Sequence, residues 1–225
     1  MTEVAIVVGA GPGLGTALVN RFAEGGMAVA AVSRRGRKPE TGKFAEAIRG
    51  YACDATVATQ VEAMFERVTA ELGPPDVVIF NVGTWDRAGI LEISEELFVE
   101  AWRTGCLGGF LVGRAAAKAM LGRGRGTILF TGATGSLRGG AGFAAFAVPK
   151  FGLRALAQSM ARELGPKGLH VAHVIIDGMI AQEGAAPRDG VMKPDEIAEA
   201  YCQIHTQKRS AWTHEMDLRP SVEKF

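Results

Sequence analysis

The chain is poor in several of the features by which proteins are usually classified. Its 225 residues include only three cysteines, Cys53, Cys106 and Cys202, which are widely spaced and form neither a CxxC pair nor a metal-like cluster. We therefore expect reduced thiols, a cytoplasmic location and no metal site. No run of eighteen apolar residues occurs, and the first residues lead directly into an apolar segment, so neither a membrane span nor a secretion signal is expected.

Net charge is also nearly absent. Lys and Arg number 25 and Asp and Glu number 24, which leaves a net charge of +1. This balance gives no overall attraction for nucleic acid or an anionic membrane. Glycine, in contrast, is abundant: 30 residues cluster in short turns. With 48% apolar residues the chain can bury a core, and its length suits one domain over residues 1–225.

Apolar runs and helical stripes alternate along the chain. Strands are predicted at 4–8, 27–32, 51–53, 77–80, 127–131, 171–176 and 215–218, and helices at 13–24, 57–72, 94–121, 143–164 and from 194 onwards. This order predicts a single Rossmann-like α/β fold, a doubly wound parallel sheet of about seven strands with helices on both faces. The one long irregular stretch, 177–193, is typical of a substrate lid or of a disordered loop.

A glycine-rich turn follows the first predicted strand. Glycines there let the backbone turn tightly and approach a pyrophosphate, and the next helix begins with free N–H groups. The alternative is an ordinary tight strand–helix turn. The candidate cofactor contacts in this segment are Gly9, Gly11, Gly13, Leu14 and Gly15.

A basic segment follows the second predicted strand. A carboxylate at this position would bind a ribose 2′-hydroxyl, whereas Ser33, Arg34 and Arg35 can bind a 2′-phosphate. The segment therefore favours NADP over NAD, and a solvated basic turn is the alternative.

Further motifs follow the third and fourth strands: Cys53-Asp54-Ala55-Thr56, and Phe80-Asn81-Val82-Gly83. With the glycine-rich turn and Lys150, these motifs resemble the short-chain dehydrogenase/reductase family from Val4 to about Leu218. The resemblance implies an oxidoreductase in which Lys150 holds the nicotinamide ribose. It implies further cofactor contacts at Asp54, Ala55, Asn81, Val82, Gly83, Gly178 and Ile180. For Asp54, an ordinary helix cap is the alternative.

The chain departs from the family at the catalytic positions. The resemblance implies a tyrosine, a serine and an asparagine beside the lysine, but these positions hold Phe146, Ala133 and, at or next to the third, Gly105. Asp177 replaces the family's proline after the sixth strand and could act near the nicotinamide or cap the loop. The other candidates, such as Tyr51, Tyr201 and the histidines, are expected to be structural.

Two functions are compatible with this pattern. One is an NADP-dependent oxidoreductase with an atypical active site, which reduces an activated C=C, C=N or C=O bond. The other is an inactive NADP-binding sensor or scaffold. Because family members commonly pair the two long helices, here 94–121 and 143–164, a homodimer or homotetramer is expected, with an unknown small-molecule substrate and neither nucleic acid nor membrane as partner.

Overall fold

The computed structural model describes residues 2–39, 44–182 and 188–223, and seven of its strands form one parallel sheet in the order β3-β2-β1-β4-β5-β6-β9. The predicted α/β fold is thereby confirmed. The strands of this sheet are β1 (Val4–Val8), β2 (Ala28–Ser33), β3 (Ile48–Ala52), β4 (Val77–Phe80), β5 (Gly126–Thr131), β6 (Leu169–Ile176) and β9 (Glu215–Leu218).

Helices cover both faces of the sheet. They are α1 (Leu14–Glu24), α2 (Ala58–Glu71), α3 (Glu95–Trp102), α4 (Gly108–Leu121), α5 (Ala144–Leu164) and α6 (Pro194–His205). One core packs α2, α4 and α5 against the sheet through side chains such as Met64, Val112 and Leu153. A second core packs α1 and α6 on the opposite face, through Phe22 and Tyr201. No helix in the described part of the chain is long and apolar enough to cross a bilayer.

The predicted helix 94–121 is not continuous. A π-helical turn at Arg103–Leu107 separates α3 from α4. Glycines let this region pack closely on α5. A Cβ on Gly105 would lie 2.9 Å from Pro149 Cβ, and one on Gly109 would lie 2.3 Å from Leu153 Cδ1, so neither position has room for a side chain. The wider turn thus occurs where the chain packs closely on α5, and π-helical turns of this kind are frequent at functional sites.

The predicted irregular stretch 177–193 contains a second, small sheet. Two-residue strands, β7 (Met179–Ile180) and β8 (Val191–Met192), pair in parallel, and Ala181 N donates to Met192 O at 2.9 Å. Residues 183–187 of the predicted lid lie outside the described residues. Strands this short carry no recognisable alternation, which explains why the sequence did not predict them.

The carboxyl ends of the strands in the large sheet meet at one edge, and backbone bonds continue beyond it. Gly9 N and Ala10 N both donate to Val32 O at 3.0 Å, and Gly132 N donates to Val174 O at 2.7 Å. The segments after β1, β2, β4, β5 and β6 are therefore held side by side, at the edge where parallel α/β sheets bind ligands.

Candidate functional site

The glycine-rich turn after β1 combines two crowded positions with two open ones. A Cβ on Gly9, where φ is 95°, would lie 2.5 Å from Asn81 O, and a Cβ on Gly15 would lie 2.3 Å from Gly9 O. At Gly11 and Gly13 a Cβ would meet no atom within 4 Å. Gly9 thus packs the turn against the segment after β4, Gly15 packs the start of α1 against the turn itself, and Gly11 and Gly13 border open space.

The beginning of α1 faces this open space. The helix starts at Leu14, and no side chain caps its first N–H groups. Asn81 Nδ2 donates to Gly9 O at 3.2 Å and joins the turn to the segment after β4. An anionic group in the open space would therefore meet free N–H donors and the positive end of the helix dipole.

The basic segment and Asp54 lie after β2 and β3. Arg34 and Arg35 are exposed, and Ser33 O accepts a hydrogen bond from Cys53 N at 3.0 Å. Hydrogen bonds from the Thr56 backbone N–H and hydroxyl lower the pKa of Asp54, and the guanidinium of Arg34 adds to this effect. The helix α2 begins only at Ala58, with Val57 at its cap position, so Asp54 does not cap this helix.

Lys150 is the buried cation of the site. Only 7% of its surface is exposed, and burial lowers its pKa to about 8. Its Nζ donates to Thr131 O at 2.8 Å, and Thr131 Oγ1 lies 2.8 Å from the Tyr201 hydroxyl. A Cβ on Gly83 would stand 3.2 Å from Nζ, so a larger residue at position 83 would press on the amine. Tyr201 is held through Thr131, and burial raises its pKa.

An aromatic cluster is formed by Trp85, Phe143 and Phe146, of which Phe146 lies one helical turn before Lys150. The Trp85 ring centroid is 4.8 Å from that of Phe146 and 5.3 Å from that of Phe143, at angles near 60° that favour edge-to-face contact. Trp85 is 70% exposed. The guanidinium of Arg87 lies 5.5 Å from the centre of the Phe143 ring. Trp85 and the cluster were not predicted, because nothing in the sequence links residue 85 with residue 146.

A buried polar cluster lies behind the turn after β5. Ser136 Oγ is 3.4 Å from His173 Nε2, His173 Nδ1 is 3.4 Å from Glu215 Oε2, and Arg154 pairs with both Glu215 oxygens at 2.6 and 2.7 Å. Burial lowers the pKa of His173 to about 4. Ala133 N donates to Ser136 Oγ at 3.2 Å. The cluster therefore holds the backbone at Ala133, and within it Ser136 and His173 are fully buried whereas Arg154 and Glu215 are partly exposed.

Asp177 is buried, with 2% exposure, and engaged on both sides. Thr134 Oγ1 donates to its Oδ1, and Arg219 Nη2 lies 3.5 Å from its Oδ2. The next residue, Gly178, packs closely on the C-terminal segment, since a Cβ there would lie 2.7 Å from Pro220 Cδ. Ile180 is partly buried in β7. The carboxylate of Asp177 thus ties the end of β6 to the segment after β9.

The site as a whole brings Gly9, Asn81, Gly83, Lys150 and Phe146 to one edge of the sheet. Gly105 is separate: it is buried against Pro149 on the adjoining turn of α5. Within the described residues, no three His, Cys, Asp or Glu side chains are grouped so that they could hold a metal ion.

The sequence profile of the short chain dehydrogenase family matches residues 3–190. This chain belongs to the short-chain dehydrogenase family. Among its relatives is the 3-oxoacyl-[acyl-carrier-protein] reductase MabA of Mycobacterium avium, which is 32% identical over 178 residues, or 79% of this chain and 67% of MabA. The family resemblance inferred from the motifs is thereby confirmed.

Solved structures of similar proteins agree with this assignment. A short-chain dehydrogenase from Rhodopseudomonas palustris is 43% identical, with a TM-score of 0.83 over 97% of this chain and 98% of the relative. An alcohol dehydrogenase from Thermococcus sibiricus, complexed with 5-hydroxy-NADP, is 26% identical, with a TM-score of 0.89 over 100% of this chain and 99% of the relative. The short-chain dehydrogenase fold therefore extends over nearly the whole chain.

Proposed function

We propose that this short-chain dehydrogenase is an NADP-dependent oxidoreductase that works without the family's tyrosine and serine. The observation that carries the proposal is the arrangement around Lys150. Its amine is buried beside Gly83, while Phe146, one turn earlier, presents only a hydrocarbon ring. A cofactor-holding lysine is retained, and the proton donor is replaced.

NADP fits the residues present. The open positions at Gly11 and Gly13 and the uncapped start of α1 would hold the pyrophosphate, and the exposed Arg34 and Arg35 would bind the 2′-phosphate. The remaining contacts that we propose are Ser33, Asp54, Ala55, Asn81, Val82, Gly83, Lys150, Gly178 and Ile180. When bound in reduced form, the cofactor supplies a hydride. The 5-hydroxy-NADP in the Thermococcus sibiricus relative supports this choice over NAD.

In this proposal the chain's own residues orient the substrate and the cofactor and exclude water, and none of them donates a proton. Removing a general acid typically costs about 10²- to 10⁴-fold in rate, so the substrate must be intrinsically reactive. We therefore propose an activated C=C, C=N or C=O bond. Asp177 acts as a structural residue in this proposal, because its Oδ1 accepts a hydrogen bond from Thr134 and its Oδ2 forms an ion pair with Arg219 at 3.5 Å.

An NADP-binding sensor or scaffold without turnover is the second candidate. It is favoured by the absence of a polar side chain at three positions together: Phe146, Ala133 and Gly105. In either case we propose one domain over the chain, with 177–193 acting as a lid, and a homodimer or homotetramer formed through α3 to α5.

Calorimetric titration with NADPH and NADH tests the cofactor. We expect NADPH to bind more tightly than NADH. Arg34→Ala should lower the affinity for NADPH about 10-fold or more and leave the affinity for NADH nearly unchanged, because a charged hydrogen bond to the 2′-phosphate is lost. Arg162→Ala, which removes an exposed guanidinium on α5, is the matched control. Equal affinities for NADPH and NADH that Arg34→Ala does not alter would contradict NADP specificity. If NADPH binds but none of the substrates tested oxidises it, the result favours the sensor.

A further inference from the structure

The charge produced by a reduction depends on the acceptor. Hydride addition to a ketone, an enone or a neutral imine leaves negative charge on oxygen or nitrogen, which a site must stabilise with a hydrogen-bond donor. Hydride addition to an iminium cation leaves a neutral amine and needs neither donor nor proton. The hydroxyl groups near Lys150 therefore indicate which acceptor the site can take.

These hydroxyl groups are nearly all engaged. Thr134 Oγ1 donates to Asp177, and Thr131 Oγ1 pairs with the Tyr201 hydroxyl. Ser136 Oγ is buried between Ala133 N and the His173 ring. Thr84 Oγ1 is the exception: it is buried and has no hydrogen-bond partner among the described residues.

The aromatic cluster offers ring faces instead of donors. Trp85 remains 70% exposed although it packs on Phe143 and Phe146. Indole is the most favourable ring for a cation. The Arg87 guanidinium at 5.5 Å from the Phe143 ring centre is a cation already placed on this cluster, and its side chain is exposed. The ammonium of Lys150 points instead to Thr131 O.

We infer that the substrate of this site is a preformed iminium cation on an apolar ring system, bound against the aromatic cluster of Trp85, Phe143 and Phe146. This inference rests on the proposed function. The iminium carbon accepts a hydride from NADPH, the C=N π pair moves to nitrogen, and the products are a neutral tertiary amine and NADP⁺. No proton is taken up or released.

Binding without turnover provides the first test. The protein without coenzyme, whose oxidised nicotinamide ring would itself repel a cation, is titrated calorimetrically with an N-methyl dihydroisoquinolinium salt and with tetralone, a neutral ketone of the same ring size. We expect the cation to bind more tightly. Trp85→Leu should lower the affinity for the cation by about 2- to 30-fold, the range for one cation–π contact, and should lower the affinity for tetralone by less. Phe44→Leu, which removes an exposed ring ahead of the edge strand β3, should change neither.

Two binding results would overturn the inference. One is equal affinity for the cation and tetralone in the wild-type protein. The other is an equal loss for both ligands in Trp85→Leu, which would show that the ring provides only apolar surface.

Turnover provides the second test and separates the inference from the proposed function. NADPH should be oxidised by the iminium salt and not by tetralone. Oxidation of NADPH by tetralone would overturn the inference, and its loss in Thr84→Val would identify the Thr84 hydroxyl as the working donor. Oxidation by enones alone would also overturn it but leave the proposed function intact. Failure of NADPH to bind would contradict the proposed function itself.

Discussion

At the scale of single residues, the Phe146 ring is packed on two sides and offers no proton. Its ring packs on Trp85, and on its other side a Cβ at Gly135 would lie 2.7 Å from Phe146 Cε1. A tyrosine would need room only for one more oxygen. The neighbouring Ala133 is held by its N–H bond to Ser136 Oγ, so its Cβ direction is fixed. Both positions that we propose as the altered acid and serine sites are therefore held in place by packing or by a hydrogen bond.

The double variant Phe146→Tyr with Ala133→Ser should gain ketone reduction. If the proposed function holds, a proton donor placed one turn before Lys150 contributes about 10²-fold or more in rate. The measurement is NADPH oxidation with small ketones. Phe151→Tyr with Ala133→Ser adds a hydroxyl on the outer, exposed side of α5 and should stay inactive. Should the first variant bind NADPH but reduce no ketone, the pocket differs from the family in more than these two side chains.

Lys150 should make stability depend on pH in the alkaline range. Burial lowers its pKa from 10.5 to about 8, so between these values the unfolded chain holds more protons and stability rises with pH. Urea unfolding should show wild-type stability rising by about 3 kcal/mol relative to Lys150→Met across this window. Lys118 is exposed, so the stability difference between the wild type and Lys118→Met should stay constant across the same pH range. Parallel pH profiles for wild type and Lys150→Met would contradict the burial of a charged amine.

At the scale of elements, the contact between α5 and the π-helical turn determines how closely α5 packs on the helices α3 and α4. Gly105 lies directly against Pro149, the residue before Lys150. The absence of a side chain at Gly105 therefore sets the distance between the turn and the helix that carries Lys150. A side chain of any size there would push on the lysine's own backbone.

Gly105→Ala should destabilise the protein by about 1–3 kcal/mol, because the new Cβ would overlap Pro149 at 2.9 Å. Gly122→Ala at the end of α4 is the control, since its Cβ meets nothing within 4 Å and the residue has helical angles. That control should be neutral or stabilising by up to about 1 kcal/mol. Urea unfolding measures both. Similar values for the two variants would show that the contact can relax.

The sequence predicts elements better than it predicts what joins them. Strands β1, β4 and β9 lie at the predicted residues, because a short buried apolar run or a terminal strand has clear ends. The π-helical turn, the β7–β8 pair and the aromatic cluster were missed. Each depends on a contact between distant segments, such as Gly105 with Pro149 or Trp85 with Phe146. The glycine-rich turn before α1 was predictable because its residues are contiguous, and its contacts with a cofactor stay a prediction.

At the scale of the whole molecule, neighbouring helices expose apolar side chains. The exposed residues on α3, α4 and α5 are Val99, Trp102, Phe110, Leu121, Val148 and Phe151. A groove of about 710 Å³ lies between the segment 88–90 and α5, lined in part by Ile90, Val148 and Phe151. The small residues Ala116 and Ala157 instead face the core. Larger side chains would therefore form the proposed subunit contact.

Val148→Arg should dissociate the proposed oligomer. A charge placed among apolar side chains would be desolvated without a partner on association. Light scattering after gel filtration should show a lower mass than for the wild type. Val222→Arg, at an exposed position in the C-terminal segment, should keep the wild-type mass. A wild-type protein that is already monomeric at micromolar concentration would contradict the assembly.

The exposed indole of Trp85 has a practical consequence. It stands beside the cleft proposed for the nicotinamide, whereas Trp102 and Trp212 lie on α3 and near the C-terminal strand. Reduced nicotinamide absorbs light in the band where indole emits. Docking of the coenzyme would therefore dim this natural fluorophore by energy transfer, and occupancy could be followed in real time without a dye.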